Sequence, residues 1–164
     1  MALYVTTNTS ATTPAQTNVA AAPGKTMLQV ASATAGGPSR AFIYEFEVGA
    51  DGTPNATDCA IVWHALLQST AGTGGVTMTM NALDPADVGA RSVALGNFTA
   101  EPTGTFATIK WSLGANQRAS YRWVVNPGGP GEIVVPATNL TGLGIRAQSA
   151  TYASTAQVCM FWRE

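Results

Sequence analysis

Few side chains in this sequence of 164 residues have the chemistry of a catalytic base. The single histidine, His64, lies in the apolar run 61–67, on the strand face opposite Trp63. A histidine that acts as a general base needs a nucleophile and an orienting carboxylate beside it, and no spacing in the sequence indicates either. We therefore expect a structural or surface histidine and a protein that is not an enzyme.

Two glutamates, Glu45 and Glu47, form a carboxylate pair on one predicted strand. Residues i and i+2 of a strand share a face and lie about 7 Å apart, which is within the range of the acid and base pairs of glycosidases. Any half-exposed strand offers the same spacing, and no opposing strand with carboxylates is evident. We interpret the pair as solvated side chains.

The sequence predicts no metal site and no cofactor. Cys59 and Cys159 lie 100 positions apart in apolar runs, which matches no zinc-ligand spacing. Such surroundings favour buried free thiols in a reducing compartment, and a disulfide between the two stays open as an alternative. Asp51, Asp84 and Asp87 stand where turns and helix caps use aspartate, so calcium ligation is not the preferred interpretation.

The candidate residues above lie in or between short runs that are apolar or that alternate apolar and polar residues. These runs are bounded by Gly, Pro, Asn and Asp. This pattern predicts about ten strands and an all-β fold. The number of strands favours a two-sheet antiparallel β-sandwich that is jelly-roll-like rather than immunoglobulin-like. The predicted strands lie near residues 25–31, 40–49, 60–69, 75–81, 90–99, 105–113, 119–125, 132–135, 142–150 and 157–163.

Two local patterns make sharper predictions. Strict alternation over residues 42–48 places Phe42, Tyr44 and Phe46 together on the core face of their strand. Asp84 followed by Pro85 matches the cap and first position of a helix, so a helix of one or two turns is expected over residues 81–89.

Residues 1–24 are predicted to form an extended N-terminal arm, and residues 25–164 a single β-sandwich domain. Residues 5–24 are mostly Thr, Ala, Asn, Gln and Pro, which is too polar a composition to fold alone. The arm includes Leu3, Tyr4 and Val5, which favour strand and could add to a sheet edge in the same or a neighbouring chain. We therefore predict these three as interface residues.

The charge content limits the partners of this protein. With 10% charged residues and a net charge of −1, the chain is not expected to bind nucleic acid or an anionic membrane surface. The N-terminal segment has no basic and apolar signal pattern, and no apolar stretch approaches the roughly 18–20 residues that span a bilayer. We expect synthesis in the cytoplasm. Arg118, Arg122 and Arg146 could cluster against an acidic partner surface.

Turn and strand motifs of the C-terminal half carry a family resemblance. They are Asn116-Gln-Arg-Ala-Ser-Tyr-Arg-Trp123, Pro127-Gly-Gly129, residues 131–137 and 142–146, and the final strand ending Phe-Trp-Arg-Glu164. With its Met-Ala-Leu-Tyr start and the strand from Lys25, the chain resembles a group of small virion-associated structural proteins of tailed bacteriophages.

The resemblance implies a capsid decoration, or cement, protein on the virion surface, made in the host cytoplasm. It implies binding to the major capsid protein and to copies of itself, as a homotrimer, and no catalytic residues. A tail or head-fibre component stays open as an alternative, and so does a carbohydrate- or receptor-binding module that uses exposed aromatic side chains. The four tryptophans all lie in predicted strands, which favours core packing over a sugar-stacking platform.

Overall fold

The structure is a computed structural model that describes residues 1–9, 18–33, 39–104, 108–137 and 141–164. Over these ranges the chain forms two six-stranded antiparallel sheets and no α-helix, which confirms the predicted all-β two-sheet sandwich. In chain order the strands are β1 (Leu3–Thr7), β2 (Lys25–Ser32), β3 (Ala41–Ala50), β4 (Ala60–Leu67), β5 (Val76–Thr77), β6 (Met80–Ala82), β7 (Ser92–Gly96), β8 (Ile109–Asn116), β9 (Ser120–Val124), β10 (Ile133–Val135), β11 (Gly142–Gln148) and β12 (Ala156–Arg163).

The first sheet has the strand order β10-β3-β12-β1-β6, and β9 also pairs with β3. β10 pairs with the beginning of β3 and β9 with its second half, so these two short strands share one edge of that long strand. The second sheet has the order β5-β7-β2-β11-β4-β8. Most neighbouring strands are distant in sequence, because the chain crosses between the sheets after β1, β2, β3, β5, β6, β8, β10 and β11.

Large side chains from both sheets fill the space between them. Trp63 of β4, Phe46 of β3 and Trp162 of β12 are at most 1% exposed, and Leu28 of β2 and Ile145 of β11 are fully buried. Burial of apolar surface on this scale is the main stabilising contribution to such a fold.

A β-bulge corrects the predicted face of β3. Phe161 of β12 pairs with Glu45, whereas the next residue, Trp162, pairs with Ile43, so Tyr44 is an extra residue on β3. The extra residue reverses which side chains face the core beyond it. Ile43 is therefore fully buried in the core, and Phe42, predicted there, lies half-buried under the Arg163 guanidinium, 4.1 Å from its ring centroid.

The first strand departs from the extended arm predicted for residues 1–24. β1 pairs with β12 on one side and with β6 on the other, so residues 3–7 belong to the sandwich sheet. The side chain of Tyr4 is 1% exposed and stacks on Trp162, with a distance of 5.6 Å between ring centroids. An aromatic residue on a strand gains more from this burial than from exposure on an arm. Residues 10–17 of the predicted arm lie outside the described residues.

Two further predictions on local structure need correction. Residues 83–91 form turns instead of a helix, because the Asp84 carboxylate accepts a hydrogen bond from the Ala86 N–H at 2.9 Å and closes a local turn. The strand predicted over residues 75–81 is two strands, since β5 pairs in the second sheet and β6 in the first. Residues 105–107 of another predicted strand lie outside the described residues.

Candidate functional site

The sandwich is open at the side where the chain crosses from β8 of the second sheet to β9 of the first. β8 pairs only with β4, and β9 pairs only with β3, within the part of the chain that the structure describes. Both strands therefore present one unpaired backbone edge at this side, joined by a turn at residues 117–119. Alternate residues of β8 are half-buried and exposed, which is the pattern of a strand that the opposite sheet only partly covers.

Aromatic side chains fill this open side, and we call Trp111, Tyr121 and Trp123 the aromatic edge. The ring centroids of Trp111 and Tyr121 lie 5.4 Å apart in a stacked arrangement. Phe46 lies behind them, stacked on Trp123 at 4.9 Å and edge-on to Trp111 at 5.0 Å. Tyr121 is 41% exposed, and Trp111 and Trp123 are half-buried, so the aromatic edge presents apolar ring surface to solvent.

The carboxylate pair of β3 lies beside the aromatic edge and is bridged by an arginine. Arg122 of β9 places its Nε atom 2.6 Å from Glu45 Oε1 and 3.6 Å from Glu47 Oε1. The hydrogen bond from Arg122 to Glu45 raises the pKa of the guanidinium. Glu45 is buried at 8% exposed, so the prediction that it is solvated is wrong. The two carboxylates thus pair with the Arg122 guanidinium and hold it beside β3.

The three predicted interface arginines are not brought together. Arg118 follows β8 and its Nε lies 2.7 Å from Asp58 Oδ1, a hydrogen bond that lowers the pKa of the Asp58 carboxyl. Arg122 pairs with the glutamates of β3, whereas Arg146 is buried on β11 of the other sheet. The cluster expected from their order in the sequence is therefore not present, because β9 and β11 belong to different sheets.

The other predicted interface residues, Leu3, Tyr4 and Val5, lie within the first sheet. Both edges of β1 are paired, so the three residues cannot extend the edge of a second sheet in this structure. Tyr4 faces the core, while Leu3 and Val5 are half-buried on the opposite face. The structure thus shows the alternative in which this segment joins a sheet of its own chain, and an intersubunit role of these residues stays a prediction.

His64 lies on the outer face of β4 and pairs in register with Arg146 of β11. Burial and the positive charge of Arg146 both lower the pKa of its imidazole, so it is neutral at pH 7.

Over the described ranges, no group of three or more His, Cys, Asp and Glu side chains is arranged to hold a metal ion.

Both cysteines are free and half-buried. Burial and, to a smaller extent, the charges of Glu47 and Glu45 raise the pKa of Cys159 to about 11. A thiol with so high a pKa is a poor nucleophile at neutral pH. Cys159 is therefore a packing residue on the outer face of β12, and it contributes no reactive group.

Comparison with protein-family models, with curated protein sequences and with solved structures gives no match. In the portion of the chain that the structure describes, no helix has the length and apolar character that crossing a membrane requires. The aromatic edge is a surface feature from which a function can be argued.

Proposed function

We propose that this protein is a structural component of a bacteriophage virion that decorates and stabilises the assembled capsid, with the aromatic edge as its docking surface. The resemblance of the C-terminal half to small virion-associated proteins supports this proposal, and so does the exposed apolar surface of Trp111, Tyr121 and Trp123. The single observation that carries it is the stacked pair of Trp111 and Tyr121 at the open side of the sandwich.

The aromatic edge has the composition of an interface core. Tyrosine and tryptophan are the residues most enriched among those that dominate binding energy at protein interfaces. The unpaired backbone of β8 beside them offers hydrogen-bond donors and acceptors to an extended segment of a partner. One surface thus supplies both apolar contact and a strand edge.

Decoration of a capsid requires no catalytic group. A subunit that binds only the assembled shell stabilises that shell by mass action, and contacts that span two capsomers oppose their separation. The partners in this proposal are the major capsid protein and further copies of this chain. In a homotrimer, copies of this chain contact one another through surfaces other than the aromatic edge, which stays free to face the capsid.

Co-sedimentation with undecorated capsids tests this proposal. Tyr121→Ala removes an exposed ring of the aromatic edge, and Val134→Ala removes an apolar side chain of similar exposure on β10 of the same sheet. We expect Tyr121→Ala to weaken capsid binding at least about tenfold and Val134→Ala to leave it unchanged. Equal binding by all three proteins would exclude the aromatic edge, and a wild-type protein that never sediments with capsids would exclude the decoration role.

A second candidate function is carbohydrate binding, which the same ring pair favours. Exposed, stacked aromatic rings offer flat apolar faces on which sugar rings can pack. A glycan array distinguishes the two functions. Glycan binding that Tyr121→Ala abolishes, together with no sedimentation with capsids, would replace the first proposal by the second.

A further inference from the structure

A cavity of about 470 Å³ opens on the outer face of the second sheet, where it is separate from the aromatic edge. His64 and Leu66 of β4 and Arg146 of β11 form its floor, and Pro23 and Gly104 stand at its sides. A volume of this size is within the range of small-molecule binding sites, roughly 300–1,000 Å³. The proposed docking function does not use this cavity.

The charged group of the cavity is a buried arginine. Arg146 is 9% exposed, and its Nη2 donates a hydrogen bond to the carbonyl oxygen of Pro102 at 2.6 Å. Its buried Nε has no hydrogen-bond partner among the described residues. Burial lowers the pKa of the guanidinium, and the negative charge of Glu101 acts in the opposite direction. A buried cation with an unused donor is costly unless an acceptor reaches it.

Apolar side chains form much of the cavity lining. Leu66, Ile109 and Pro23 line it next to the guanidinium, and Gln148 adds one uncharged polar side chain. A ligand that fits must therefore combine one polar acceptor group with an apolar body, since a wholly polar ligand would lose its hydration against these walls.

We propose that this cavity binds a small monocarboxylate whose apolar body packs on Leu66 and Ile109 and whose carboxylate pairs with the Arg146 guanidinium. Guanidinium donors match the geometry of a carboxylate. The cavity floor carries one cationic group, Arg146, because His64 beside it is neutral at pH 7. A single negative charge is balanced there, whereas a doubly charged phosphate would keep an uncompensated charge.

Isothermal titration calorimetry of the full chain with octanoate tests this proposal, with octanamide as the uncharged probe of the same shape. We expect octanoate to bind with one site per chain and octanamide to bind at least about tenfold more weakly. Arg146→Met should abolish the preference for octanoate. Ile109→Trp, which fills the cavity and keeps the charge, should abolish binding of both probes.

Arg118→Met is the matched control, because it removes an arginine whose ion pair with Asp58 is exposed. We expect it to bind octanoate as the wild type does. Equal affinity for the two probes, or wild-type affinity in Arg146→Met or Ile109→Trp, would overturn the proposal. If Arg146→Met does not fold, the proposal is tested by the NMR signal of the Arg146 Nε–H in the wild-type protein. A shift caused by octanoate and not by octanamide supports the proposal, and no shift overturns it.

Discussion

Trp111 and Tyr121 stack on each other although they belong to different sheets, Trp111 to β8 and Tyr121 to β9. Their ring centroids lie 5.4 Å apart at the side where the sandwich is open. The ring pair thus closes part of the gap between the two sheets and at the same time forms the surface that we propose for docking. Its contribution to stability and its contribution to binding can be separated by experiment.

The stacked pair predicts a measurable coupling between the two side chains. In a double-mutant cycle of Trp111→Leu and Tyr121→Leu, we expect a coupling free energy of about 0.5–1.5 kcal/mol, because the stacking is lost once either ring is removed. Equilibrium unfolding in urea of the four proteins measures it. Additive losses would mean that the rings do not stabilise each other.

The buried position of Tyr4 predicts a large loss of stability on truncation. Tyr4→Ala removes a fully buried ring stacked on Trp162, and we expect it to cost about 3–5 kcal/mol of the free energy of unfolding. Val5→Ala, on the half-buried opposite face of the same strand, should cost about 1 kcal/mol. Urea unfolding compares them. A Tyr4→Ala variant as stable as the wild type would show that β1 is an arm outside the sandwich.

The ion pair between Glu132 and Arg163 predicts a loss of stability in acid. Arg163 donates two hydrogen bonds to the Glu132 carboxylate, at 2.8 and 2.7 Å, and this holds the pKa of the carboxyl below its ordinary value. A carboxyl whose pKa is lower in the folded than in the unfolded state stabilises the fold at neutral pH. That contribution is fully present above the ordinary pKa and disappears as the pH falls through the lowered one.

Glu132→Gln should therefore cost about 1–3 kcal/mol at pH 7 and almost nothing below the folded-state pKa of Glu132. Urea unfolding of both proteins from pH 7 to pH 2 measures the difference. Glu47→Gln serves as the control, because the Glu47 side chain is 53% exposed and its pairing with Arg122 is loose at 3.6 Å. A constant difference between wild type and Glu132→Gln across this range would contradict the prediction.

The raised pKa of Cys159 predicts slow alkylation. With a pKa of about 11, about one thiol in a thousand is ionised at pH 8, so iodoacetamide should modify Cys159 at least about a hundredfold more slowly in the folded protein than in urea. Mass spectrometry of the Cys159 peptide follows the rate. Glu47→Gln removes a neighbouring negative charge and should accelerate the reaction. Equal rates in the folded and unfolded protein would refute the prediction.

Much of the fold could be predicted from the sequence, because alternation and turn residues are local signals. The strands predicted near residues 60–69 and 157–163 show this, since the structure has strands at residues 60–67 and 156–163. The bulge at Tyr44 could not be predicted, because it depends on the register between β3 and β12. Without the bulge, Phe42 would have faced the core, as expected.

The candidate sites were less predictable, because they depend on which strands become neighbours. Trp63 and Trp111 look alike in the sequence, yet Trp63 lies on an internal strand and is buried while Trp111 lies on an edge strand and is half-exposed. The one signal in the sequence that β8 is an edge strand is the presence of the polar residues Lys110 and Ser112 at alternate positions. Arg146 gave no such signal, since its burial depends on residues far away along the chain, around Pro102.

The insertion of β1 between β6 and β12 has a consequence for how the protein is made. Leu3 pairs with Arg163, so β1 must wait for a strand that the ribosome synthesises much later. At synthesis rates of about 5–20 residues per second, Tyr4 stays without its stacking partner Trp162 for roughly 10–30 seconds. The first sheet therefore closes only after translation of β12, and until then β1 lacks one of the two strands with which it pairs.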